Sequence, residues 1–212
     1  MKPIGRLHVL TDVVLQTRFS HTELARRAIR GGADTIQLRQ KTGSTRDMIK
    51  VALEMKTVCT EAEATFIVND RVDVAVAASA DGVHVGQDDL PIPLAKRLVG
   101  DPCIVGGSAS TLQEAHQCVT EGADYIGFGP VFSTQSKENA GPASGLSLLA
   151  CIVQSVPIPV IAIGGINHTN LQAVMKTGVY GIAVISAVCC HDKPEEATRI
   201  LRAALRPYER TL

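Results

Sequence analysis

Short apolar runs alternate with longer amphipathic stretches along the 212-residue chain. The runs are rich in Val and Ile and bounded by Gly, Asn or Asp, which predicts strands over residues 7–11, 35–40, 65–69, 82–86, 104–106, 125–129, 159–163 and 181–185. The stretches between them carry helix signals. Ser20-His-Thr-Glu23 has the capping-box pattern and opens a helix to about Arg30, and Thr111-Leu-Gln-Glu114 opens another to about Glu121. Further helices are predicted over 45–61, 94–99, 146–155, 169–177 and 194–205, with a short Ala- and Val-rich one between Asn69 and Gly82.

A weak internal repeat supports this reading. Gly32-Ala-Asp-Thr-Ile, Ala80-Asp-Gly-Val, Gly122-Ala-Asp-Tyr-Ile and Gly178-Val-Tyr-Gly-Ile each close a helix and open a strand. Glycine there suits a left-handed helix C-cap. Strict alternation with continuous apolar strands implies a parallel sheet covered by helices. Eight such units in one chain predict an α/β protein, a (β/α)8 TIM barrel formed as a single domain over residues 1–212. No G-x-G-x-x-G follows the first strand, which weighs against an open dinucleotide-binding sheet.

Composition narrows the picture. Aromatics are only 3%, so Val, Ile, Leu and Ala must pack the core. The 21 Lys and Arg balance 21 Asp and Glu, so no net charge draws the chain to nucleic acid or an anionic membrane. Anion affinity must come from a local cluster. The six cysteines show no C-x-x-C spacing, and most read as small core residues of a reducing compartment. No signal peptide or membrane-spanning run is evident, so a cytoplasmic location is expected. Oligomeric state is left open, a homo-oligomer included.

Chemistry concentrates where strands end. Asn69 and Asp70 follow the third strand, and Gln87, Asp88 and Asp89 follow the fourth. Parallel strands put both groups on one rim. Two carboxylates there fit Mg²⁺, which takes one or two carboxylates together with substrate phosphates. Solvated strand ends account for the same pattern equally well. On the second strand Ile36 and Leu38 alternate with Gln37, Arg39 and Lys41, so the polar set faces the lumen or lies above it. Buried cations require an anion, either a substrate phosphate or an internal partner in Asp70 or Asp89. His84 faces inward and reads as a hydrogen-bonded core residue. Gly127 and Gly129 are expected to leave space at the mouth. The long 130–144 loop carries Thr134, Ser136 and Lys137 and reads as a lid, with a plain surface loop as the alternative. Gly164-Gly165 and Ser186 occupy the strand-7 and strand-8 positions where barrels bind phosphate. Two anion sites are thus expected: one metal-assisted and suited to a diphosphate, the other suited to a monophosphate.

Five motifs carry a resemblance to the thiamine phosphate synthase family: Gln37-Leu-Arg-Gln-Lys41, Phe66-Ile-Val-Asn-Asp-Arg-Val-Asp73, Asp81-Gly-Val-His-Val-Gly-Gln-Asp-Asp-Leu90, Gly127-Phe-Gly-Pro-Val-Phe132 and Ala162-Ile-Gly-Gly-Ile166. The resemblance implies a Mg²⁺-dependent transferase of thiamine biosynthesis. It would join hydroxymethylpyrimidine diphosphate to hydroxyethylthiazole phosphate by dissociative loss of pyrophosphate. It further implies that Gln37, Arg39, Lys41, Asn69, Ser108 and Lys137 meet the pyrimidine diphosphate, that Leu38 and Gln40 also bind substrate, and that Arg39, Lys41, Ser108 and Lys137 are catalytic. Asp70 and Asp89 would hold Mg²⁺, and Thr134, Gln135, Ser136, Gly165, Ile185 and Ser186 the thiazole phosphate. Ser110 stands where the family often has histidine. Related thiazole tautomerases use that histidine as acid–base catalyst, so an isomerase, or a catalytically silent precursor-binding barrel, is the alternative.

Overall fold

The computed structural model describes residues 2–136 and 141–208. Eight parallel strands close into one barrel in sequence order. They are β1 (Leu7–Thr11), β2 (Thr35–Leu38), β3 (Thr65–Asn69), β4 (Gly82–Val85), β5 (Ile104–Ala109), β6 (Tyr125–Phe128), β7 (Val160–Ile163) and β8 (Gly181–Val184), with β8 pairing back to β1. The helices outside are α1 (His21–Arg30), α2 (Thr45–Glu61), α3 (Val72–Ala77), α4 (Ile92–Val99), α5 (Leu112–Thr120), α6 (Gly145–Ser155), α7 (Leu171–Met175), α8 (Ser186–Cys189) and α9 (Pro194–Leu205). This is the expected TIM barrel. Both predicted capping boxes form, at Ser20–Glu23 and Thr111–Glu114.

Boundaries shift for local reasons. Strand β5 continues through Gly107 and Ser108 to Ala109 instead of stopping at Gly106, because β6 pairs along it as far as Ala109. Strand β2 stops at Leu38, two residues early. Pro91 caps α4, and a proline in its first turn lets it begin at Ile92.

Strand alternation makes two cores. Val9, Ile36, Leu38, Phe66, Val68, Val83 and Ile126 point outward and pack under the helices. Leu10, Ile67, Ile104, Tyr125, Ile161 and Ala183 fill the barrel interior. Among the cysteines, Cys59, Cys118 and Cys189 are buried as expected, whereas Cys151 and Cys190 are exposed; all six are free thiols.

The internal repeat is a structural device at the lower end of the barrel. Gly32, Gly122 and Gly178 take φ of 99°, 83° and 84°, and Ser79 takes this conformation in the Ala80 unit at 49°. The aspartate that follows accepts from the backbone N–H at the start of the preceding odd strand: Asp34 from Leu7 (3.0 Å), Asp81 from Phe66 (2.9 Å), Asp124 from Val105 (2.7 Å). Each aspartate also meets a cation from an outer helix, Arg202, Lys56 and Lys96 respectively. In the fourth unit Tyr180 replaces the acid, and its hydroxyl donates to the Ile4 carbonyl. Parallel strands with this bracing below leave all C-terminal strand ends on the upper rim.

Candidate active site

One alternation step above the interior cluster, the inward positions turn polar. Asp12 follows Leu10, Arg39 follows Gln37, Asn69 follows Ile67, and Ser108 lies beyond Ile104 and Gly106. The Asp12 and Arg39 side chains are nearly buried, 2% and 13% exposed, and form an ion pair. Lys41, about half exposed, pairs with Asp70. The cations are therefore not unpartnered. Asp70 is one of the internal partners expected for them, whereas Asp12 is not among them. The signal for Asp12 was present: it continues the inward series His8, Leu10 at the end of β1.

Asp70 adopts a left-handed backbone, φ 63°, which costs a non-glycine residue about 1–2 kcal/mol. Its N–H donates to the His84 carbonyl at 2.7 Å, and this turn puts its carboxylate beside Asp89. Burial raises the Asp89 pKa, the Gly86 N–H at 2.7 Å opposes that, and the adjacent Asp70 carboxylate adds to the rise. Among these five groups two cations face three carboxylates. Among the described residues no set of three or more His, Cys, Asp or Glu gathers as a metal cage. A cation here would rest on the Asp70–Asp89 pair and on groups from outside the protein, as Mg²⁺ usually does.

His84 joins Ser108 to the core. Its Nδ1 lies 2.9 Å from the Tyr125 hydroxyl and its Nε2 2.9 Å from Ser108 Oγ. Tyr125 is fully buried, burial pushes its pKa further up, and its one described hydrogen-bond partner is His84, so the phenol donates to Nδ1. The imidazole thereby bridges the buried Tyr125 hydroxyl to Ser108 at the rim. Glycines make room for this arrangement. A Cβ at Gly106 would lie 2.2 Å from Tyr125, and one at Gly127 2.8 Å from His84. The space expected at Gly127 is therefore filled by His84. Gly129 likewise packs onto the Ile163 carbonyl, 2.1 Å from where its Cβ would be.

Other expected residues divide. Gln37 is buried in the lumen with Oε1 unpartnered. Leu38 points outward into the helix-side core, so only its backbone can reach the mouth. Gln40 turns onto its own loop and donates to the Thr42 carbonyl. Across the rim, Gly164 and Gly165 are covered by the loop after β6: Phe132 N–H donates to Gly164 O, and a Cβ at Gly165 would lie 2.6 Å from Ser133 O. That contact brings the Thr134–Ser136 stretch toward β7, where Thr134 Oγ1 accepts from Ser136 N–H. Ile185 caps α8, which starts at Ser186. Lys137 lies outside the described residues. Ser110 is held by Glu114, which accepts from its N–H (2.6 Å) and hydroxyl (2.9 Å).

A closed parallel barrel with a mixed-charge rim defines a (β/α)8-barrel protein whose site lies at the C-terminal strand ends, the usual place in enzymes of this architecture. The family model described as thiamine monophosphate synthase matches residues 7–188, and the chain belongs to that family. It is 52% identical over 204 residues to the thiamine-phosphate synthase of Salinibacter ruber, covering 96% of this chain and 90% of the relative. It is 50% identical over 202 residues to that of Methanocella arvoryzae, covering 95% of each. The solved thiamine phosphate pyrophosphorylase of Pyrococcus furiosus superposes with TM-score 0.89 at 44% identity, covering 96% of both chains. None of the described helices is long and apolar enough to cross a membrane.

Proposed function

We propose that the protein is a thiamine phosphate synthase, a transferase joining hydroxymethylpyrimidine diphosphate to hydroxyethylthiazole phosphate with release of pyrophosphate. Near-full-length kinship to synthases supports the activity. The observation that supports a diphosphate site is the polar rim at β1–β4, where Lys41 stands beside the close Asp70–Asp89 pair and Arg39 pairs with Asp12. Two neighbouring carboxylates beside a diphosphate repel it, so a divalent cation on Asp70 and Asp89 is the natural third component. Mg²⁺ bound there would neutralise developing charge on the leaving group.

The chain's own residues do the rest. Arg39 and Lys41, with Lys137, hold the diphosphate and take up its charge as the carbon–oxygen bond breaks. The electron pair leaves with pyrophosphate, and the aminopyrimidine ring donates density to the methylene cation. The thiazole nitrogen then forms the new carbon–nitrogen bond. Ser108, held by His84, offers its hydroxyl to the anionic substrate. The unpartnered Gln37 Oε1 is an acceptor waiting for a donor such as the pyrimidine amino group. Thr134, Gln135, Ser136, Gly165, Ile185 and Ser186 hold the thiazole phosphate on the β6–β8 side.

No general base is required, which fits a Ser110 whose hydroxyl is already spent on Glu114. A paired assay tests this: pyrophosphate release from the two synthase substrates, and isomerisation of the thiazole carboxylate phosphate. Coupling with negligible isomerisation is expected, and Ser110→Ala should leave coupling within about twofold. Isomerisation without coupling would make the protein a tautomerase, and tight binding of both ligands without reaction would make it a sensor.

A further inference from the structure

The Asp12–Arg39 pair does more than neutralise a buried charge. Asp12 is 1% exposed and uses both carboxylate oxygens. Oδ1 accepts from the N–H groups of Val14 (2.8 Å) and Leu15 (3.0 Å), which fixes the first turn of the loop between β1 and α1. Oδ2 takes Nη1 of Arg39. A guanidinium has five N–H donors in a rigid fork, so one edge on Asp12 leaves the other edge for an anion. The same loop is clasped at its far end. Arg18 donates to the carbonyls of Cys190 (3.0 Å) and His191 (3.1 Å), just past α8, and pairs with Asp192. The loop holding Arg39 is therefore anchored on both sides of the rim.

We propose that Asp12 is a positioning residue for the synthase reaction: it fixes Arg39 in the orientation that receives the leaving diphosphate, before substrate arrives. Its carboxylate lowers the net charge Arg39 offers in the ground state and holds the fork still for the transition state. This rests on the diphosphate lying at Arg39, as set out above. Removing the charge while keeping the cap separates the two effects. In Asp12→Asn the amide oxygen still accepts from Val14 and Leu15, while Arg39 loses its ionic partner. An unpaired, mobile Arg39 binds a diphosphate as well as before but no longer stabilises its departure.

The test is a double-mutant cycle read in kcat and KM for the pyrimidine diphosphate, across wild type, Asp12→Asn, Arg39→Gln and the double variant. Asp12→Asn should lower kcat by about 10-fold to 100-fold with KM unchanged or lower. In the Arg39→Gln background it should change kcat by less than about twofold. Equal losses in both backgrounds, or a raised KM with kcat intact, would overturn the proposal. If Arg39→Gln alone leaves kcat and KM at wild-type values, the placement of the diphosphate at Arg39 is what fails. Asp12→Glu keeps the buried charge and displaces the fork; it should lower kcat with KM for the pyrimidine diphosphate unchanged, and a wild-type kcat there would also contradict a positioning role.

Discussion

The two ends of this barrel use the same residue types to opposite effect. At the lower end, Asp34, Asp81 and Asp124 repeat one arrangement, each with a strand N–H and a helix cation. Each aspartate is therefore neutralised and hydrogen-bonded in place. At the upper rim, Asp70 and Asp89 stand close together, Asp70 holds a left-handed backbone, and the Gln37 amide oxygen is buried without a partner. Polar groups satisfied in place stabilise a fold; polar groups left in surplus or unpaired are completed by something that binds.

The comparison breaks first where the expected effect is largest. Arg39→Gln and Lys41→Gln should each slow turnover by roughly 10²-fold or more. Calorimetry should show weakened binding of the pyrimidine diphosphate and little change for the thiazole phosphate. Equal loss of both ligands would point to a damaged fold instead.

Acid should weaken the scaffold. Burial lowers the pKa of His8 and of His21 from 6.5 to about 4. His8 donates Nε2–H to the Gly5 carbonyl, which fixes its neutral tautomer. Between those values the unfolded chain binds more protons than the native one. Their contribution is therefore whole above pH 6.5 and lost as pH falls toward 4, up to about 3 kcal/mol for each histidine. Thermal melts from pH 7 to pH 5 should show a falling Tm, and His21→Gln should flatten the slope. A pH-independent Tm would contradict their neutral burial.

The lower end should yield stability without chemistry. Asp81→Ala leaves the buried Phe66 N–H without its acceptor and removes the partner of Lys56, at a cost of about 1–3 kcal/mol. Chemical denaturation should report that loss while kcat at 25 °C stays near wild type. A turnover loss comparable to that of Arg39→Gln would erase the distinction between the two ends.

Much of this was legible in the chain. Period-two strands and glycine-closed helices predicted the barrel, and alternation on β2 aimed Gln37 and Arg39 into it. The lower bracing announced itself as a repeat, though the hydrogen bonds made by its aspartates did not. What escaped notice depends on contacts across strands. Asp12 meets Arg39 only because β1 lies beside β2 in register, Leu10 opposite Gln37. Gly127 reads as empty space until β4 brings His84 over it. Leu38 and Gln40 sit inside the Gln37–Lys41 motif, yet strand alternation turns Leu38 out to the helix-side core, and Gln40 folds onto its own loop.

In the proposed reaction the Asp70–Asp89 pair and the neighbouring cations form a metal-assisted diphosphate site. The most direct measurement is pyrophosphate release across a Mg²⁺ titration, for wild type and Asp89→Asn, with a thermal melt of each. Turnover should vanish on chelation and return with Mg²⁺ in the wild type, while Asp89→Asn should lose most of its activity and keep a near-wild-type Tm. Full activity after complete chelation, or in Asp89→Asn, would contradict it.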